Sequence, residues 1–136
     1  MALQVNAQQQ TGSVTPPGPV KKEFRKRYPG TEKVTWEKEG ENYEAVFESG
    51  QKEQSVLFNA SGKVLQTESV INAEELPAKI QEYLISNYMQ APVEAAVKIT
   101  DAAGVVTYEV IIHQAELLFD ANGTPLRQEE EAPVNE

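Results

Sequence analysis

Two stretches of the chain carry apolar residues at helical spacing. Val20, Phe24 and Tyr28 recur every fourth position with charged residues between them, which describes one apolar stripe on a short helix. Leu76, Ile80, Leu84 and Tyr88 repeat the stripe further on. Pro19 and Pro77 suit a first helical turn, Pro29-Gly30 stops the first helix, and Pro92 limits the second. Glu74 and Glu75 favour the positive end of the second helix. After each helix the pattern changes to strand-type alternation. Val34 and Trp36 alternate with Thr35 and Glu37 before the turn-forming Glu39-Gly40-Glu41-Asn42. Tyr43, Ala45 and Phe47 alternate with Glu44, Val46 and Glu48 before Ser49-Gly50. Val56 and Phe58 precede Asn59-Ala60-Ser61-Gly62, and Lys63–Ser69 completes a predicted set of four strands. The second set is marked by Val97 and Ile99, then Tyr108, Val110 and Ile112, then Leu117 and Phe119, then Leu126. Connections this short join antiparallel neighbours, because parallel strands need long crossovers.

The chain also repeats itself. Val20, Phe24 and Tyr28 lie 60 positions before Ile80, Leu84 and Tyr88, and Tyr43-Glu44 lies 65 before Tyr108-Glu109. LFNASGKVLQTE (57–68) lies 61 before LFDANGTPLRQE (118–129). Three blocks in one order describe two copies of one unit, a helix followed by a four-stranded meander. The expected fold is therefore α+β, with repeats at 20–71 and 72–129 and with both helices taken to lie on one face of the antiparallel sheet. Residues 1–19 hold no charge and no hydrophobic period, which predicts a flexible lead. Val5-Asn6-Ala7 within it has the small-x-small form of a signal-peptide remnant. The run Glu129-Glu130-Glu131 opens an acidic tail, placed at 130–136.

Composition narrows the chemistry. Among 136 residues there are no Cys and one His, so thiol redox chemistry, iron–sulfur clusters and Cys/His zinc sites lack their ligands. A formal charge of −9 repels phosphates and argues against nucleic acid as partner. No apolar run approaches the length of a membrane span. Asn59-x-x-Gly62 and Asp120-x-Asn122-Gly123 supply too few oxygens for calcium and read as hairpin turns. Two glycosylation sequons coincide with these turns and are assigned no role. Lys21, Lys22, Arg25, Lys26 and Arg27 crowd the first helix. The last three complement its dipole, although a cationic docking face is the functional alternative. His113 is expected on the strand Tyr108–Gln114 as a surface histidine, with no Cys or Gly-x-Ser-x-Gly nucleophile to serve. Carboxyl groups on solvated strand faces are expected to keep ordinary pKa values, so no active site is predicted.

One surface is left for function. Helices on one face of an antiparallel sheet leave the other face open. Alternation puts Glu44, Val46 and Glu48, with Glu109, Ile111 and His113, on that face, a mixture of carboxylate and aliphatic groups suited to a protein or peptide. Trp36 is either core or the aromatic anchor of the same interface.

The residues Phe24…Tyr28-Pro29-Gly30, Val34-Thr35-Trp36, Tyr43-Glu44-Ala45-x-Phe47, Val56-Leu57-Phe58-Asn59, Gly62-x-x-Leu65 and Leu76-Pro77 resemble the bacterial PepSY-like, beta-lactamase-inhibitor-like domain family. The resemblance spans 20–129. In the second unit Tyr88-Met89-Gln90 and Val97-Lys98-Ile99 replace the Tyr-Pro-Gly and Val-x-Trp signatures. The resemblance implies a periplasmic or secreted protein of two tandem modules that together make one curved antiparallel sheet; the family's namesake inhibitor grips its enzyme with the concave face of the sheet. The combined expectation is a non-enzymatic, exported, monomeric module that binds an unknown protein or peptide and needs no cofactor. The alternative is an envelope protein that handles a small ligand or a divalent metal through acidic side chains.

Overall fold

The computed structural model describes residues 13–89 and 91–130, with side chains described as far as Leu126. The signal-like Val5-Asn6-Ala7 and residues 131–136 of the acidic tail lie outside the described residues. Helix α1 (Gly18–Arg27) leads into strands β1 (Val34–Glu39), β2 (Asn42–Ser49), β3 (Lys52–Phe58) and β4 (Val64–Ile71). A single 3-10 turn (Ala73–Glu75) precedes α2 (Ala78–Tyr88), which leads into β5 (Ala95–Asp101), β6 (Val106–Ile112), β7 (Ala115–Asp120) and β8 (Pro125–Glu130). The strands form one antiparallel sheet in the order β1 to β8, so every strand pairs with its sequence neighbours.

The register shows where the helices sit. Phe47, Gln54, Ser69, Lys98, Tyr108 and Phe119 form one row across six strands. Phe47 belongs to the core under α1 and Phe119 to the core under α2, so both helices cover the same face. The middle of the row is polar, and the two cores stay separate. The first is built from Val20 and Phe24 against Trp36, Ala45, Phe47, Val56 and Phe58. The second is built from Leu76, Ile80 and Leu84 against Val110, Ile112, Leu117 and Phe119. Each large apolar side chain so buried contributes about 1.5–3 kcal/mol. Over the seam between them lies an open groove of about 580 Å³ lined by Glu23, Arg27, Lys63, Thr67, Thr100 and Asp101.

Equivalent turns display the duplication. Asn59 Oδ1 accepts the backbone N–H groups of Ser61 and Lys63, both at 3.0 Å, and Asp120 Oδ1 accepts those of Asn122 and Thr124, both at 2.9 Å. Gly62 and Gly123 then take positive φ, +94° and +90°. A Cβ there would come within 2.7 Å of the Pro19 carbonyl oxygen and the Lys79 Cβ. Each turn is thus pressed onto the opening of its own module's helix.

Two expectations change. The flexible lead does not extend to residue 19: Val14 donates to the Trp36 carbonyl at 3.0 Å, Ser13 Oγ accepts from the Trp36 N–H at 3.1 Å, Pro16 is buried, and α1 begins at Gly18. A lack of charge does not prevent a short segment from pairing with an exposed strand edge. At the other end Glu130, assigned to the tail, closes β8.

Candidate protein-binding face

Strand alternation and register build the face opposite the helices. Thr35, Val46, Ser55, Glu68, Ile99, Thr107 and Asp120 form one row across it. Glu37, Glu44, Leu57, Gln66 and Asp101 form the row on one side, and Val70, Val97, Glu109 and Leu118 a row on the other. Glu48 pairs with Glu53 at one margin and Ile111 with Glu116 at another. Of the residues picked out in the sequence, Glu44, Val46, Glu48, Glu109 and Ile111 share this face. Four strand spacings separate the β2 group from the β6 group, so they flank a wide surface rather than meet at a point.

Trp36 and His113 do not belong to it. Trp36 lies on the helix side, packed edge-on against Phe24 at 5.4 Å and tilted against Phe58 at 6.0 Å. It is therefore core, the first of the two readings open to it. His113 is not on a strand: β6 ends at Ile112, and His113-Gln114 form the β6–β7 turn with φ of 54° and 63°. The turn brings the imidazole 6.3 Å from the Tyr88 ring, near the end of α2 and away from the open face.

Charge is segregated across the sheet. Lys38, Lys52 and Lys98 all have helix-side parity, and Lys38 lies 5.6 Å over the Tyr43 ring. Lys52 reaches the Glu75 carboxylate at 2.6 Å. Among the described residues, the strand positions of the opposite face carry Glu and Asp, and of the basic residues only Arg127, opposite Leu118 at the β8 margin. Three of these carboxylates are buried although no described helix covers them: Glu44, Glu68 and Glu109 are 6%, 2% and 7% exposed. Glu68 accepts from Gln66 Nε2 at 2.8 Å. Burial pushes its carboxyl up to about 7, and the charges of Glu44 and Glu109 add to the effect. Burial also raises Glu44; a hydrogen bond from Ser55 opposes this, while Glu39 and Glu37 reinforce it. Glu53 is raised by burial and by the charge of Glu48.

These findings overturn the expectation of ordinary, solvated carboxyl groups on the strand face. Alternation identifies the side of the sheet but not how deeply a side chain sinks among its cross-strand neighbours. Glu68, Ser55, Val97 and Ile99 make up the middle of the face, which the sequence reading did not assign to it: Val97 and Ile99 mark a strand in the sequence, but which side they take depends on pairing with β4 and β6. Glu68 was nonetheless visible in the repeat, as the last residue of 57–68. The Asn59 and Asp120 side chains are engaged by their own turns, and no three His, Asp or Glu residues among the described ones are grouped to hold a metal. No described helix is long and apolar enough to cross a membrane. An open groove of about 690 Å³ continues the face past Val46, Glu48 and Glu53 toward Pro29–Lys33.

A duplicated helix-plus-meander unit, fused into one sheet with both helices behind and an acidic face in front, defines a tandem α+β module. The chain belongs to the family described as "Putative beta-lactamase-inhibitor-like, PepSY-like", whose model matches it twice, over residues 12–66 and 41–127. Solved structures share the fold. A protein of Bacteroides fragilis described as BLIP-like is 23% identical, with a TM-score of 0.74 over 93% of this chain and 95% of that one. One from Bacteroides eggerthii, described among "putative periplasmic proteins", has a TM-score of 0.76 at 19% identity over 85% and 89%. A DUF2874 family protein of Bacteroides ovatus has a TM-score of 0.73 at 22% identity over 86% and 89%. No curated protein matches the chain.

Proposed function

We propose that this chain is a non-enzymatic, exported module that binds a protein or peptide on the open face of its sheet. The observation that carries the reading is the make-up of that face, where aliphatic Val46, Leu57, Ile99 and Ile111 are interspersed with carboxylates, and where the one basic residue among the described strand positions is Arg127 at the β8 margin. Such a surface offers dispersion contacts at its centre and selects a partner with Lys or Arg opposite. The inhibitor-like family supports binding over catalysis, and the periplasmic description of the Bacteroides eggerthii relative supports export. Residues 20–71 and 72–129 serve as its two repeats, working as a monomer.

Crosslinking the purified protein in an envelope extract, followed by identification of what is captured, tests the reading. Wild type is expected to capture a protein that Ile111→Asp and Glu48→Lys lose, with capture weakening as salt screens the carboxylates. Capture that both variants retain, at any salt, would place the interface elsewhere.

A further inference from the structure

The two modules differ at the outer edge of their first strand. In the second module β4 runs along β5 through six residue pairs, Gln66 to Ile71 against Asp101 to Ala96, and then leads into α2. In the first module the corresponding strand is β1, and among the described residues the segment leading into α1 bonds to its edge at Trp36, through Ser13 and Val14. Val14 also packs on the α1 core, as Ile71 packs on the α2 core. Ser13–Val14 is thus a rudimentary strand in the place that β4 fills for β5. Backbone direction alternates along a strand, so Val34 and Lys38 turn their N–H and C=O groups outward, as Trp36 does.

The matching free edge is at the other end of the molecule. The sheet ends at β8, and no described residue pairs with its outer side. Carrying the alternation from Trp36 through the register of every strand turns the backbone of Gln128 and Glu130 outward. Since β8 corresponds to β4 and β1 to β5, the chain already contains the joint by which β8 of one copy would extend the sheet of the next. At that joint the pair Ser69 and Lys98 becomes Glu130 and Lys38.

We propose that Ser13–Val14 guards the β1 edge, and that the occupant it excludes is β8 of a second copy of this chain. Such a contact is head-to-tail, so release of the guard produces a growing series of species rather than a closed dimer. The test compares full-length wild type with Ser13→Ala/Val14→Pro by sedimentation velocity from about 10 µM to about 1 mM. Wild type is expected to remain one species, and the released variant to at least double its average mass across the range, with unchanged circular dichroism. Adding Glu130→Pro, which removes an outward N–H from β8, is expected to return it to one species. Ser13→Ala alone, which keeps the Val14 bond, is expected to shift in the same direction by less and covers the case in which the double variant misfolds. A released variant that stays a single folded species, or that associates equally well with Glu130→Pro, would overturn the proposal.

Discussion

At the scale of single residues, backbone conformation sets terms that side-chain chemistry does not reveal. The β2–β3 hairpin turns through Gly50-Gln51 with φ of 63° and 68°, and the equivalent turn of the second module uses His113-Gln114. Both central residues of a two-residue hairpin of this kind need positive φ, which costs a residue with a Cβ about 1 kcal/mol or more. Gln114→Gly is therefore expected to raise stability by about 1 kcal/mol, read as a higher urea midpoint at constant slope. Gly62→Ala is expected to do the opposite, lowering stability by about 2 kcal/mol, because the new methyl meets both an unfavourable φ and the Pro19 carbonyl. The lone histidine illustrates what could be read beforehand: its solitude was plain in the sequence, but its departure from the strand depended on where the turn closed.

At the scale of elements, each helix belongs to its own four strands. Phe24 holds Tyr28, Trp36 and Phe47 at 5.3, 5.4 and 5.1 Å, and the polar seam keeps this cluster apart from the one around Leu84. Phe24→Ala is expected to cost about 3–5 kcal/mol, and Leu84→Ala, on the rim of the other core, about 2–5. Native-state hydrogen exchange should locate the damage: Phe24→Ala is expected to deprotect β1–β3 before β6 and β7, and Leu84→Ala the reverse. Equal loss across all eight strands would mean that the shared β4–β5 junction makes the modules one cooperative unit. The helices and strands were legible because periods of 3.6 and 2 are strong signals and the repeat supplied each of them twice. Ser13–Val14 was not legible, since pairing with an edge draws on backbone groups that every residue carries.

At the scale of the whole molecule, joining two meanders moves one carboxylate from a margin to the middle. Glu68 lies on β4, which would be an edge strand in a single module; here β5 covers that edge, with Ile99 opposite Glu68. Its folded pKa, near 7, lies above the ordinary glutamate range near 4.5. Between those values the folded protein holds a proton that the unfolded chain has released, so stability is expected to fall as pH rises from about 5 to about 8. Urea midpoints across that range should decline for wild type and flatten in Glu68→Gln, which keeps the shape without the titration. A wild-type midpoint that rises over the same interval would show that Glu68 is ionised throughout in the folded state.

By itself the sequence determined the α+β class, the duplicated unit and the antiparallel order. All of these follow from local periodicity, short turns and self-similarity. Only the tertiary structure decided which acidic groups are buried, that Trp36 is core, that His113 sits in a turn, and which strand edges are closed. Burial and edge pairing depend on residues distant in the chain arriving side by side, and no local pattern encodes that distance.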